Sequence, residues 1–389
     1  MHSRTRRILG SAAVLAILTA TILSLALPAL SDGPMYTRTE RFGIAFVGQV
    51  PIGTGSDTVT QSLTDYDVAP FNVGWYSDWR YSATPNQPAD QQLEYAQLLH
   101  VADGNWPPNW GAVENAAKLQ PGAMWLIGNE PECPNQDAVT PTVYATRYAE
   151  AYQKIKGWDP TAQIAVGGMV QWTPLRQKWM EMAMAAYETQ EGEAMPVDVW
   201  NIHIQILTEG NETNPNAGAG VPVGLDPQAL GIPPMYYGLA DCGNAMIFKS
   251  MIDSLRTWMA DQGQQNKPLI ISEMGVLQPW FYLVDGTDQA DNKAYADHLV
   301  EQYMVEVFDY LLNETDATIG CPDDENRLVQ RWLWFSLNGS FYDEATCWGG
   351  FNGSLYDYET KKLTQFGQRF HYYQYPESLK QMFVPFVQR

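Results

Sequence analysis

Two glutamates stand where an acid–base pair would be useful. Glu130 closes the run Met124-Trp125-Leu126-Ile127-Gly128-Asn129, and Glu273 closes Leu269-Ile270-Ile271-Ser272. An unpaired carboxylate is expensive to bury, so a charged residue ending an apolar run is expected to face a site. Two facing carboxyl groups suit glycoside cleavage: one protonates the leaving oxygen and the other attacks the anomeric carbon. A separation of about 5–5.5 Å gives retention of configuration, and a wider one leaves room for an inverting water. Each ionised group raises the other's pKa, so one can stay protonated near neutral pH. In this reading one of Glu130 and Glu273 is the acid/base, the other the nucleophile, and the Asn129 amide meets a sugar 2-hydroxyl. Each half alone also has a plainer reading. Asn129-Glu130-Pro131 is a strand-to-turn exit, and Ser272-Glu273 is an N-cap with an acidic first turn. The pair is more specific than either half.

Positioning the two groups requires a frame, and the apolar pattern predicts one. Eight short runs read as strands: Phe42–Val47, Phe71–Tyr76, Tyr95–Val101, Met124–Gly128, Ile164–Val170, Val197–Ile206, Leu269–Glu273 and Arg331–Leu337. They are nearly continuous in apolar residues, as parallel strands covered on both faces are. Helical stretches lie between them, at Val143–Lys156, Leu175–Thr189, Ala245–Gln262, Asn292–Leu312 and Lys362–Tyr373, with Gly and Pro at their ends. Alternating strands and helices predict a single-domain (β/α)8 TIM barrel, with a long loop, Leu207–Asn244, after the sixth strand. Its rival, an open doubly wound sheet, usually carries a Gly-rich phosphate turn, and Gly53 and Gly55 lack the third Gly. On a barrel, the ends of strands four and seven open onto the same face from opposite sides.

Composition narrows the partners. The chain has 389 residues, 45% hydrophobic and 12% aromatic, which allows a large core with rings to spare for a cleft. A net charge of −21 speaks against nucleic acid and anionic lipid and suits a neutral polymer such as a carbohydrate. Residues 1–31 read as a signal peptide or an N-terminal membrane anchor. Arg4, Arg6 and Arg7 precede an apolar run from Ile8 to Leu30, and Ala29-Leu30-Ser31 offers a cleavage site before Asp32. The catalytic domain is then 32–389, secreted or on the extracellular face of the membrane, touching membrane only through that anchor, and expected to be a monomer. Cys133, Cys242, Cys321 and Cys347 allow three pairings, of which Cys133–Cys242 with Cys321–Cys347 is favoured. Sequons begin at Asn211, Asn313, Asn338 and Asn352. No CxxC, HExxH, GxSxG or Walker motif occurs, so neither a metal nor an organic cofactor is expected.

Gly128-Asn129-Glu130-Pro131 on a fourth strand with Ile271-Ser272-Glu273-Met274-Gly275 on a seventh resembles the clan A retaining glycoside hydrolases. The resemblance covers most of the chain after about residue 40. Val73-Gly74-Trp75-Tyr76-Ser77-Asp78-Trp79 is similar to the Trp-Tyr-x-x-Trp run of the fungal-type β-1,3-glucanase-like "glycosyl hydrolase catalytic core" group. The resemblance implies Trp75, Tyr76 and Trp79 in the cleft wall, His203 on strand six beside the site, and Trp334 as an aromatic floor. It departs from the pattern at strand six. Clan members often carry there a Tyr that bonds the nucleophile, whereas this chain reads Ile202-His203-Ile204-Gln205, leaving Gln205 or His203 to supply that bond. Simple packing is the alternative for Trp75, Tyr76 and Trp79, and a core position is the alternative for His203 and Trp334. The implied activity is retaining hydrolysis of β-glycosidic bonds, with Glu130 as acid/base, Glu273 as nucleophile and β-glucan favoured. Mannan or xylan hydrolysis and a non-catalytic carbohydrate-binding barrel are the alternatives.

Overall fold

The computed structural model describes residues 34–51, 57–88, 91–211, 213–284, 290–341 and 351–377. The expected leader and Cys347 lie outside these residues, and among them no helix is long and apolar enough to cross a membrane. Parallel strands alternate with helices, as the apolar pattern predicts. In chain order the strands are β1 Phe42–Ala45, β2 Gln49–Pro51, β3 Thr58–Thr60, β4 Trp75–Ser77, β5 Glu94–Tyr95, β6 Gln97–Leu99, β7 Met124–Asn129, β8 Gln163–Gly168, β9 Trp200–Ile204, β10 Leu269–Met274 and β11 Arg331–Trp334. The helices are α1 Arg38–Arg41, α2 Trp110–Leu119, α3 Pro141–Trp158, α4 Pro174–Glu191, α5 Pro227–Leu230, α6 Ala245–Asp261, α7 Trp280–Leu283, α8 Ala290–Asn313 and α9 Gln365–Gln374. Side-chain oxygens of Asn109, Thr140, Thr173, Asn244 and Thr364 cap α2, α3, α4, α6 and α9.

One parallel sheet runs β5-β4-β1-β11-β10-β9 and another β6-β7-β8. Single parallel bridges at Ala165–Val199 and Met169–Ile202 join β8 to β9. At the other seam the segment 94–99 pairs with β4 through its first half and with β7 through its second. Regular pairing therefore breaks at two seams, and the ladder is divided into two sheets. Six of the eight expected strands are shorter than the sequence suggested, among them β1, β8 and β11, which end at Ala45, Gly168 and Trp334. Residues 69–71 form a 3-10 turn around Pro70, so β4 begins only at Trp75. Ala96 interrupts the third strand, and the sixth shrinks to Trp200–Ile204. The β2–β3 hairpin is antiparallel and was not foreseen.

Burial on both faces explains the continuous apolar runs. Phe42, Ile44, Tyr76, Trp125, Ile127, Trp200, Ile202, Ile271, Trp332 and Trp334 belong to the large core cluster. The alternate residues Trp75, Ala96, Leu98, Met124, Leu126, Ala165, Val199, Ile270 and Leu333 form a second cluster on the other strand face. Gly43 leaves room there: a Cβ would lie 2.3 Å from Leu333 and 2.6 Å from Trp75.

The cysteines correct the expected bridges. Cys133 and Cys242 are buried free thiols, and Cys321 is free as well. Cys133 donates to the Ala219 carbonyl at 3.3 Å, and Cys321 faces the Asn266 carbonyl. Two sequons are also buried. Asn338 donates to Val47 O and Tyr66 Oη, and Asn352 donates to Gln278 O, whereas Asn211 and Asn313 are exposed.

Candidate active site

The site lies at the carboxyl ends of the strands, and local backbone devices aim its residues. β7 pairs with β8 up to Asn129–Gly168, after which Glu130 donates its backbone N–H to Gly168 O at 2.9 Å. Glu130 then takes a left-handed conformation, φ 44°, which turns the chain and swings its side chain inward. Trp79 at the end of the second strand does the same, with φ 59°. Such backbone costs a non-glycine residue about 1–3 kcal/mol and concentrates where function fixes it. Glu273 is aimed by a bulge: the register of β10 shifts between Ile271 and Glu273 against β9, and between Ile271 and Met274 against β11.

These devices bring the two carboxylates together with a histidine. Oxygens of Glu130 and Glu273 and a ring nitrogen of His203 all lie within 4.8 Å of one another. His203 Nδ1 is 3.0 Å from Glu130 Oε1, and Nε2 is 3.0 Å from Ser272 Oγ and 3.7 Å from Glu273 Oε1. Gly168 makes this possible, since a Cβ there would sit 2.4 Å from the His203 ring. Glu273 is held at both oxygens. Trp79 Nε1 donates to Oε1 at 2.5 Å and Gln205 Nε2 donates to Oε2 at 3.2 Å. Gln205 thus supplies the hydrogen bond that a tyrosine was expected to supply. The same trio has a spacing that a cation could use. His203 meets Glu130 and Ser272 through its two ring nitrogens, so an ion would have to displace one of those contacts.

Electrostatics separates the roles. Glu130 is 6% exposed, and burial pushes its pKa up to about 8, with Asp137 adding to the rise while the Arg176 charge and the Cys133 thiol pull it down. Glu273 is also raised by burial and by the Glu130 charge, but His203 and the hydrogen bonds from Trp79 and Gln205 oppose this. Burial lowers His203, against the pull of Glu273 and Glu132. The arrangement favours a protonated Glu130 beside a better-stabilised Glu273 carboxylate.

The two carboxylates open into a cavity of about 400 Å³ whose wall includes Trp79, His100, Asn129, Gln136, Gln205 and Phe335. Asn129 donates from Nδ2 to Gln136 Oε1 at 3.2 Å, while Asn129 Oδ1 and Gln205 Oε1 are buried acceptors without a protein donor. Trp79 meets Phe335 edge-on at 5.7 Å between ring centroids. Of the residues predicted for the site, the structure brings together Glu130, Glu273, Asn129, Trp79, His203 and Gln205. It does not bring Trp75, Tyr76 or Trp334 there. Trp75 is packed in the second cluster, donates to Arg41 O and lies under the Arg331 guanidinium. Tyr76 points to the other face and donates to Asn86 O. Trp334 is fully buried against Phe308 and donates to Gly353 O at 2.8 Å. Phe335, one residue on, holds the cavity position expected of Trp334. His100 was missed because it lies inside the run Tyr95–Val101 rather than at its end, where Glu130 and Glu273 drew attention. Asp137 orients it at 2.7 Å and also accepts from the Val101 and Asn129 N–H groups.

No family model matches the chain, and no curated protein sequence matches it. Solved structures do resemble it. A GH128 (subgroup II) endo-β-1,3-glucanase from Pseudomonas viridiflava is 18% identical, with 85% of this chain and 96% of that chain covered and a TM-score of 0.51. A GH128 (subgroup III) curdlan-specific exo-β-1,3-glucanase from Blastomyces gilchristii, solved with glucose, is 13% identical, with 85% and 97% covered and a TM-score of 0.50. The chain shares their mixed α/β fold with parallel sheets.

Proposed function

We propose that the chain is a retaining glycoside hydrolase that cleaves β-1,3-linked glucan, built as a (β/α)8 barrel of the clan A type. The observation that carries this reading is the placement of Glu130 and Glu273 oxygens within 4.8 Å of one another at one cavity. That short spacing supports the retaining arrangement, with carboxyl groups about 5–5.5 Å apart, over the about 6.5–9.5 Å of inverting enzymes. Glu273 attacks the anomeric carbon while Glu130 gives its proton to the departing oxygen. The glycosyl–Glu273 bond is then broken by a water that Glu130, now ionised, deprotonates. Trp79 and Gln205 fix the attacking carboxylate, and His203 sits between the two acids to steady both charge states. The open acceptors Asn129 Oδ1 and Gln205 Oε1 are suited to sugar hydroxyls.

β-1,3-Glucan is favoured because the solved structures that share the fold are β-1,3-glucanases. A second cavity of about 520 Å³ shares Trp79 and His100 with the first, giving a polymer room to extend. The basic and apolar N-terminal segment supports action outside the cytoplasm, secreted or tethered. A panel of curdlan, laminarin, β-1,4-glucan, mannan and xylan tests the proposal. Reducing ends released from the β-1,3-glucans are expected. Release from mannan or xylan alone would reassign the substrate, and binding without release from any member would favour a non-catalytic barrel.

A further inference from the structure

Beside the cavity lies a charged cluster that the proposed chemistry does not use. Arg176, on the first turn of α4, is fully buried, as are Glu132 and, at 1% exposure, Glu209. Its Nε donates to Glu132 Oε1 at 2.9 Å, its Nη1 donates to Glu209 Oε1, and its Nη2 donates to the carbonyls of Ala219 and Gly220 at 2.9 and 3.1 Å. The partners come from two strand exits, after β7 and after β9. Glu132 lies two residues past Glu130, and its Oε1 also accepts from Val170 N just beyond β8. Glu209 accepts from Thr173 Oγ1 and from Met235 N, which ties it to the far side of the long loop after β9. Ala219 belongs to that loop, lines the cavity and accepts from Cys133, the thiol beside Glu130.

We infer that Arg176 is a positioning residue for the acid, gathering the Glu130–Cys133 turn and the long loop into one cavity wall through Glu132, Glu209 and two backbone carbonyls. The inference rests on Glu130 being the acid, as proposed above. A buried guanidinium with four bonds to two loops leaves both loops little freedom, and losing it would strand two carboxylates in the interior. It also acts at a distance. The groups facing Glu130 are His203 from β9, Glu273 from β10, Arg176 from α4, and Glu132, Cys133 and Asp137 from its own loop. Among these Arg176 is the strongest influence that holds the Glu130 proton more loosely.

The test is the alkaline limb of kcat/KM on a β-1,3-gluco-oligosaccharide. Arg176→Met removes the positive charge, so the limb moves up by about half a pH unit or more. Glu132→Gln leaves the Arg176 charge less compensated, so the limb moves down. Opposite shifts are expected, and a part that is structural alone would lower the rate in both variants without moving the limb. Should Arg176→Met not fold, the downward shift in Glu132→Gln decides. Glu130→Gln serves as the gauge. If the alkaline limb persists in it, the acid assignment itself fails. If the limb disappears there but stays unmoved in Glu132→Gln, the acid assignment stands and the inference about Arg176 is overturned.

Discussion

Two regions of the molecule bury carboxylates in opposite ways: the Asp324 network at the amino end of the strands and the Glu130–Glu273 pair at the carboxyl end. At the amino end, Asp324 is fully buried and takes both Arg41 Nη groups, at 2.9 and 2.6 Å, with Gln330 Nε2 at 3.2 Å. Gln330 in turn accepts from Arg256 Nη2 and from the Leu269 N–H, so the network closes on itself. At the carboxyl end, neither Glu130 nor Glu273 has a salt-bridge partner from Arg or Lys among the described residues. Their neighbours are a histidine, an indole, an amide and each other. A paired buried charge supports the fold. Burial without such a partner pushes the Glu130 pKa up to about 8, so its proton is ready to exchange. The same chain thus builds a rivet at one end and a reactive pair at the other.

The comparison can be broken in several ways. The largest effect is expected from Glu273→Ala, which removes the nucleophile: turnover of β-1,3-glucan falls by about 10³-fold or more, while calorimetry still detects oligosaccharide binding. Glu130→Gln follows, with a loss of about 10²–10⁴-fold on natural glycans and a much smaller loss in the first step on aryl glycosides with activated leaving groups. Equal losses on both substrates would contradict its acid role. At the other end, Arg41→Met strands Asp324 and costs about 3–5 kcal/mol of stability in denaturant titration, with kcat per folded molecule unchanged.

Proton linkage sharpens the contrast. Glu130 in the fold sits near 8, above the ordinary carboxyl value, so its contribution to stability is complete below about pH 4. That contribution is lost as pH rises through the folded value. Glu130→Gln is therefore expected to gain thermal stability over the parent between about pH 5 and pH 9, read from Tm across that range. The smallest effect is none at all: a chelator is expected to leave the activity unchanged, and its loss with restoration by a divalent ion would reassign the Glu130–His203–Glu273 trio.

Much of the frame was legible because parallel strands covered on both sides must be apolar throughout. Met124–Asn129 and Leu269–Met274 stand almost where the pattern put them. Their closing glutamates were conspicuous for the same reason, as charged residues at the ends of apolar runs. That property also hid the aromatic assignments. When both faces are buried, alternation carries no signal, so nothing distinguished the outward Trp332 and Trp334 from the inward Leu333, or marked Phe335 as the cavity residue. The β10 bulge, the left-handed turns at Trp79 and Glu130, and the Arg176 cluster arise from contacts between segments far apart in sequence. The cysteines misled because an even count suggests pairs, whereas Cys133 is engaged by the Ala219 carbonyl and stays free.

The most direct measurement is the configuration of the first sugar released, followed by proton NMR before mutarotation. Attack by Glu273 on the face opposite the leaving oxygen, followed by water entering from the face that oxygen vacated, predicts that the β-anomer appears first. Initial release of the α-anomer would mean that water attacks directly, and the two-step use of this carboxylate pair would be wrong.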